Sequence, residues 1–164
     1  MTELITRRYA DRDIPEMCQL INEIIEIGGT TAHEELFDEE KFAKHFLSER
    51  KLISCIVAVD QNDTIAGFQA AEMHPGLPED WADIATFARI SPKIPGVGTA
   101  LFAATRKAVE AGGFVAINAT IRADNESGLR FYEKMGFETY GVRKNVPLSD
   151  GTEVDRINKR FILI

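Results

Sequence analysis

DIATFARISPKIPGVGTALFAATRKAVEAGGFVAINATI, residues 83–121, is the stretch on which the fold turns. DIATFARI (83–90) and FVAINATI (114–121) read as strands, the second apolar on both faces as in a covered parallel sheet. Between them Leu101, Phe102, Thr105, Ala108 and Val109 recur at helical spacing until Gly112-Gly113 stops the helix. This is a βαβ unit. Its first connection, SPKIPGVG (91–98), carries Gly96 and Gly98 into the start of the helix, where the first N–H groups have no internal partner and the dipole favours an anion. The loop suits a phosphate, with a flexible strand-to-helix turn as the alternative.

Working outward, ELITRRY (3–9) alternates as a strand, and Asp13 followed by Glu16 predicts a helix start. That helix presents Ile14, Met17, Cys18, Ile21, Ile24 and Ile25 on one face and stops at Gly28-Gly29. Asp38 caps a short helix carrying Phe42 and Phe46 inward. LISCIVAV (52–59) and TIAGFQAAEM (64–73) form a hairpin around DQND. Downstream of the βαβ unit, Asn125 caps a helix bearing Leu129, Phe131, Tyr132 and Met135, with Gly136 after it. ETYGVR (138–143) and VDRINKRFIL (154–163) are the last strands. The class is α/β: a mixed, mostly antiparallel sheet of six or seven strands with helices on both faces.

The 164 residues, 45% of them hydrophobic, predict a single domain over 1–164. A net charge of −7 argues against nucleic acid and suits a partner bearing amines. No run approaches a membrane span and the N-terminus lacks a secretory stretch, so a cytoplasmic location is expected. Cys18 and Cys55 read as core fillers, and His33, His45 and His74 are too scattered for a metal. Two phosphate-binding loops are excluded. Gly98 is followed by Thr99-Ala100 with no P-loop lysine, and Leu101 is too bulky for the third small residue of a dinucleotide fingerprint.

The ordered blocks DIATFARI, KIPGVG (93–98), TALFAATRKAVEAGGF, AINATI and NESGLRFYEKMGF (125–137) resemble the signature of the GNAT superfamily of acetyl-CoA-dependent N-acetyltransferases. GGTTAHEELF and SDGTEVD are similar to segments of its phosphinothricin acetyltransferase-like branch. The resemblance implies acetyl-CoA as co-substrate, no metal and a small amine, amino-acid-like, as acceptor. It puts the backbone of Phe87, Ala88, Arg89 and Ile90 beside the pantetheine arm. Lys93, Ile94, Pro95, Gly96, Val97, Gly98 and Thr99 would hold the pyrophosphate, with Asn125, Ser127 and Tyr132 as further cofactor contacts. Lys93 stands where the family has Arg or Gln, and Ile94 where glycine is common.

Tyr132 holds the family's place for the acid that protonates the departing sulfur; Glu72 and Asp83 are the carboxylates available as base, with a water chain as the alternative. Glu34 and Glu35 are placed to meet the acceptor's ammonium, and Arg89 its carboxylate. Peptide N-termini or polyamines are alternative acceptors, and an acyl-CoA-binding module without catalysis is the alternative from another class. A homodimer is common in the branch, and neither nucleic acid nor membrane is an expected partner.

Overall fold

Six apolar residues at helical spacing, Met17, Cys18, Leu20, Ile21, Ile24 and Ile25, bury one side of α1 (Ile14–Ile27). In this computed structural model, which describes residues 3–164, α1 carries Pro15 in its first turn and ends at Gly28, with φ of 77°. The helix starts where Asp13 and Glu16 predict, but neither side chain caps it. Asp13 accepts from Arg7 Nη1 and Nη2 (2.7 and 2.9 Å) and Ala10 N (2.7 Å), while Glu16 reaches across to Ile65 N (2.6 Å). A two-pronged guanidinium contact is a stronger claim on a carboxylate than one helix amide. It holds the Asp13 carboxyl below the usual carboxylate range and ties β1 (Ile5–Arg8) to α1.

Asp38 does cap α2 (Glu39–Phe46), accepting from Lys41 N at 2.7 Å, and Phe42 and Phe46 are buried. The remaining elements are β2 (Leu52–Val59), β3 (Ile65–Glu72), β4 (Trp81–Ala88), α3 (Val97–Ala111), β5 (Ala116–Arg122), α4 (Glu126–Met135), β6 (Glu138–Pro147) and β7 (Glu153–Ile162). The strands make one seven-stranded sheet in the order β1-β2-β3-β4-β5-β7-β6. Only the β4–β5 pair is parallel. Three boundaries shift from the sequence reading. β4 starts at Trp81 and stops before Arg89, β6 runs four residues further to Pro147, and α3 begins at Val97, because Gly96 at φ 82° turns the chain into the helix two residues early.

Helices cover both faces. α1 and α2 pack on one with Val57, Phe68, Ala70 and Phe87, and α3 and α4 on the other with Ala71, Ala82, Ile84, Ile117 and Ile121. Cys18 and Cys55 lie buried and unbridged in the first of these clusters, as core fillers do.

Gly67 lies where the start of α3 comes close to the sheet. A Cβ there would stand 2.6 Å from Val97 Cγ1 and 2.8 Å from Phe87 O. Gly67→Ala is therefore expected to cost about 1–3 kcal/mol, read as a lower denaturant midpoint at unchanged slope. A midpoint equal to wild type would mean that α3 does not rest on this strand.

Candidate active site

The β4–β5 ladder closes over only three pairs, Trp81↔Ala116, Ala82↔Ile117 and Asp83↔Asn118. Beyond them the strands part. β4 stays paired with β3 as far as Ala88, and β5 with β7 as far as Arg122, so each half of the sheet continues while a cleft opens between them. Arg89 N–H donates to Ala66 O at 2.8 Å, on the β3 side. Alternation along the antiparallel ladder then turns Phe87 N–H to β3 as well and points the amides of Thr86 and Ala88 into the cleft. Of the four residues expected along the pantetheine arm, Ala88 lies at the cleft, Phe87 is a core side chain, and Arg89 and Ile90 fall beyond the strand.

Tyr132 projects from α4 to the same cleft. Its hydroxyl stands 2.8 Å from Thr86 Oγ1, which accepts from Gln69 Nε2 at 2.8 Å; Gln69 is fully buried and its Oε1 has no partner among the described residues. Burial pushes the phenol up to about 12, opposed by the Thr86 hydrogen bond and reinforced by Asp83. Tyr132 is a neutral donor throughout the physiological range.

At the apex of the cleft, on the α1/α2 face, Asn118 Nδ2 donates to Asp83 Oδ1 (2.8 Å), and Tyr140 donates to Asn118 Oδ1. Burial raises the Asp83 pKa; Asn118 and then His74 oppose this, Glu72, its cross-strand partner, adds to the rise, and Lys51 opposes it. Glu72 Oε2 lies 3.3 Å from Lys51 Nζ. These carboxylates share a cavity of about 110 Å³ with His33, His45, Phe46, Ala70, Ile84 and Ala85. The two imidazoles, 5.0 Å apart, were not evident as a pair in the sequence, because their contact joins a loop to α2. Burial, then His45, lowers His33 to about 4, and burial lowers His45 too, so both face the cavity uncharged at neutral pH.

The loop before α3 leaves its amides open. Ala100 N–H makes the first helical bond, to Gly96 O (3.0 Å), and no side chain among the described residues caps Val97, Gly98 or Thr99. A Cβ on Gly96 would meet nothing within 4 Å, whereas one on Gly98 would stand 2.5 Å from Phe131 Cε1. Gly96 thus shapes the open side and Gly98 admits the α4 ring. Lys93 and Pro95 are exposed, and Ile94 packs under the α3 start with Val97.

α4 differs: Asn125 Oδ1 accepts from Gly128 N (3.0 Å) and from Ser127 Oγ (3.2 Å), while its Nδ2 donates to Thr30 O (2.9 Å). Both ends of that amide are engaged within the chain. Glu34 binds the β6–β7 turn, accepting from Ser149 N (3.1 and 3.0 Å) and Oγ (2.8 Å), and Glu35 is exposed. Arg89 is drawn away from the cavity: it donates to Ile65 O (3.0 and 2.7 Å) and lies 3.4 Å from Glu16 and 3.8 Å from Glu23. Its guanidinium ties the sheet to α1.

The family model of the acetyltransferase (GNAT) domain matches residues 9–157. The chain belongs to the GNAT acetyltransferase family. Solved structures share its fold. A GNAT superfamily phosphinothricin acetyltransferase from Sinorhizobium meliloti in complex with AcCoA superposes at TM-score 0.85 and 18% identity, over 97% of this chain and 88% of that one. An N-acetyltransferase from Staphylococcus aureus Mu50 superposes at 0.86 and 16%, over 99% of both. A ribosomal-protein-alanine N-acetyltransferase from Brucella melitensis does so at 0.84 and 17%, over 96% of this GNAT chain and 99% of that one.

The raised Asp83 pKa has a stability consequence. Ionising this carboxyl opposes folding, so the penalty is absent below the unfolded pKa of ~3.9 and grows as pH rises through the folded value. Asp83→Asn is expected to melt above wild type at about pH 7 and together with it at about pH 3. A variant melting lower at neutral pH would mean that the ionised form is the better held.

Proposed function

We propose that this acetyltransferase moves acetyl from acetyl-CoA to the primary amine of a small amino-acid-like acceptor, by direct attack in a ternary complex. One observation carries the reading: the cleft between β4 and β5 has a buried phenol against one strand and a desolvated carboxylate at its apex. The residues present fit acetyl-CoA. Uncapped amides at Val97, Gly98 and Thr99 and the α3 dipole suit a diphosphate, the empty space over Gly96 lets it approach, and Thr86 and Ala88 offer amides to an extended amide-bearing arm. When bound, acetyl-CoA supplies an activated carbonyl and a thiolate leaving group.

Asp83 is the group placed to take the proton from the incoming ammonium or amine, and its raised pKa brings it nearer the range useful to a base. Neutral His33 and His45 add no positive charge to the cavity that Asp83 lines, which favours a cationic acceptor. As nitrogen attacks carbon, the C–N bond forms, the C–S bond breaks and charge collects on sulfur. Tyr132 meets that charge with its O–H. A phenol near 12 does not surrender its proton fully to a thiolate of pKa ~8.5, so Tyr132 acts as a hydrogen-bond donor to sulfur, and the last proton reaches it from the acceptor nitrogen or solvent.

Tyr132→Phe is expected to lower kcat by roughly 10²-fold with acetyl-CoA affinity nearly unchanged. Gly96→Val, which forces a branched side chain to φ 82° and fills the open side of the cradle, is expected to weaken acetyl-CoA binding at least tenfold by calorimetry. The deciding experiment is thiol release across amino acids, polyamines and short peptides. Release that depends on Tyr132 supports transfer; tight acetyl-CoA binding with no release from any amine makes the chain a binding module instead.

A further inference from the structure

Three arginines stand in register across the far half of the sheet: Arg122 of β5 pairs with Arg156 of β7, and Arg156 with Arg143 of β6. Directly opposed like charges repel, so an uncompensated row of guanidinium groups opposes folding. Compensation is unequal. Arg122, 8% exposed, clasps Asp124 with Nε and Nη2 (2.9 and 2.7 Å) and donates Nη1 to Thr31 O (3.1 Å). Arg156, 7% exposed, makes no side-chain hydrogen bond and no ion pair among the described residues, and its Nη1 is sealed from solvent without a partner. The charges around it are Arg122 and Arg143 on one side of the balance and Asp124 and Glu34 on the other. Asp124 is held by Arg122, and Glu34 by Ser149. A guanidinium stays protonated even where burial disfavours its charge, so Arg156 is a buried cation awaiting an anion.

The row lies on the acceptor's side. Alternation along β5 puts Asn118, Thr120 and Arg122 on one face, the α1/α2 face that carries Asp83. Arg122 is four residues from Asn118, roughly 13 Å along the strand. The segment after α1, at Thr31 and Glu34, and the β6–β7 turn at Ser149 close over this end. Arg89, the cation first expected to meet an acceptor carboxylate, is occupied by Ile65 O, Glu16 and Glu23.

We propose that Arg156, flanked by Arg143 and Arg122, is the anion subsite of the acceptor pocket, taking a carboxylate carried by the amine substrate, with the Glu34–Ser149 contact as its cover. The substrate assignment rests on the acetyl-transfer reading; the anion site does not. The spacing along β5 selects acceptors whose amine and carboxylate are several bonds apart, such as short peptides and ω-amino acids, over α-amino acids.

Two measurements on the full chain test this separately. In the first, glutarate is titrated at constant ionic strength while arginine Nε–Hε NMR resonances are followed. Wild type is expected to show saturable shifts, Arg156→Gln none, and Glu34→Gln tighter binding, because a competing carboxylate is gone. In the second, short peptides and ω-amino acids are compared as free acids and as carboxamides. Wild type is expected to prefer the acids at least tenfold in kcat/KM, and the surface variant Arg143→Gln, which does not depend on a core substitution folding, to lose most of that preference with the KM for acetyl-CoA unchanged. Absence of saturable binding in wild type, or equal use of acid and carboxamide, overturns the subsite. Saturable anion binding with no turnover of any amine overturns the transfer reading and the carboxylate-bearing acceptor with it, and leaves only the anion site.

Discussion

The parting of β4 and β5 after Asp83 and Asn118 is the constraint on which the rest of the molecule depends. A sheet this well paired elsewhere normally satisfies every backbone amide in its interior. Here two interior strands turn unsatisfied edges towards each other, stabilised because β3 and β7 continue to hold them from outside. Such an edge asks for another extended chain. On the proposed reading a cofactor arm with amides of its own would answer that demand more closely than water does, and the structural deficit would be the binding device.

Around the cleft, charge is graded by burial. Tyr132 is kept neutral against the α4 face, and Asp83 is made reluctant to ionise at the apex. His33 and His45 are kept uncharged beside it. Farther along β5 the sign reverses at Arg122, Arg156 and Arg143. On the proposed reading, that reversal would orient an acceptor as a dipole, amine towards Asp83 and carboxylate towards Arg156. An overall charge of −7 hides that local asymmetry.

Features governed by local chemistry were legible in the sequence. Asn125 and Asp38 cap their helices, Gly28 and Gly136 end theirs at positive φ, and the βαβ order of residues 83–121 is present. What depends on long-range contact was not. The packing of Phe131 against Gly98, which only a glycine admits, has no sign in the loop's own sequence. Arg89 looked free until α1 brought Glu16 and Glu23 to it, and Asp13 traded helix capping for Arg7. The His33–His45 pair and the Arg122–Arg156–Arg143 row carry no signal in sequence spacing, because a loop meets a helix in one and a strand register sets the other. Apolar patterning does not mark the cleft, since DIATFARI reads the same whether or not its second edge is paired; only the family resemblance put an open backbone edge at Phe87 to Ile90.

Amide hydrogen exchange at Thr86 and Ala88 addresses the open edge most directly. These two amides should exchange quickly in the free protein and slow at least tenfold when acetyl-CoA is added, while Phe87, donating to β3, is slow in both states. Protection of Thr86 and Ala88 without ligand, or no change on adding it, would mean that the strands are closed there and that the cofactor arm lies elsewhere.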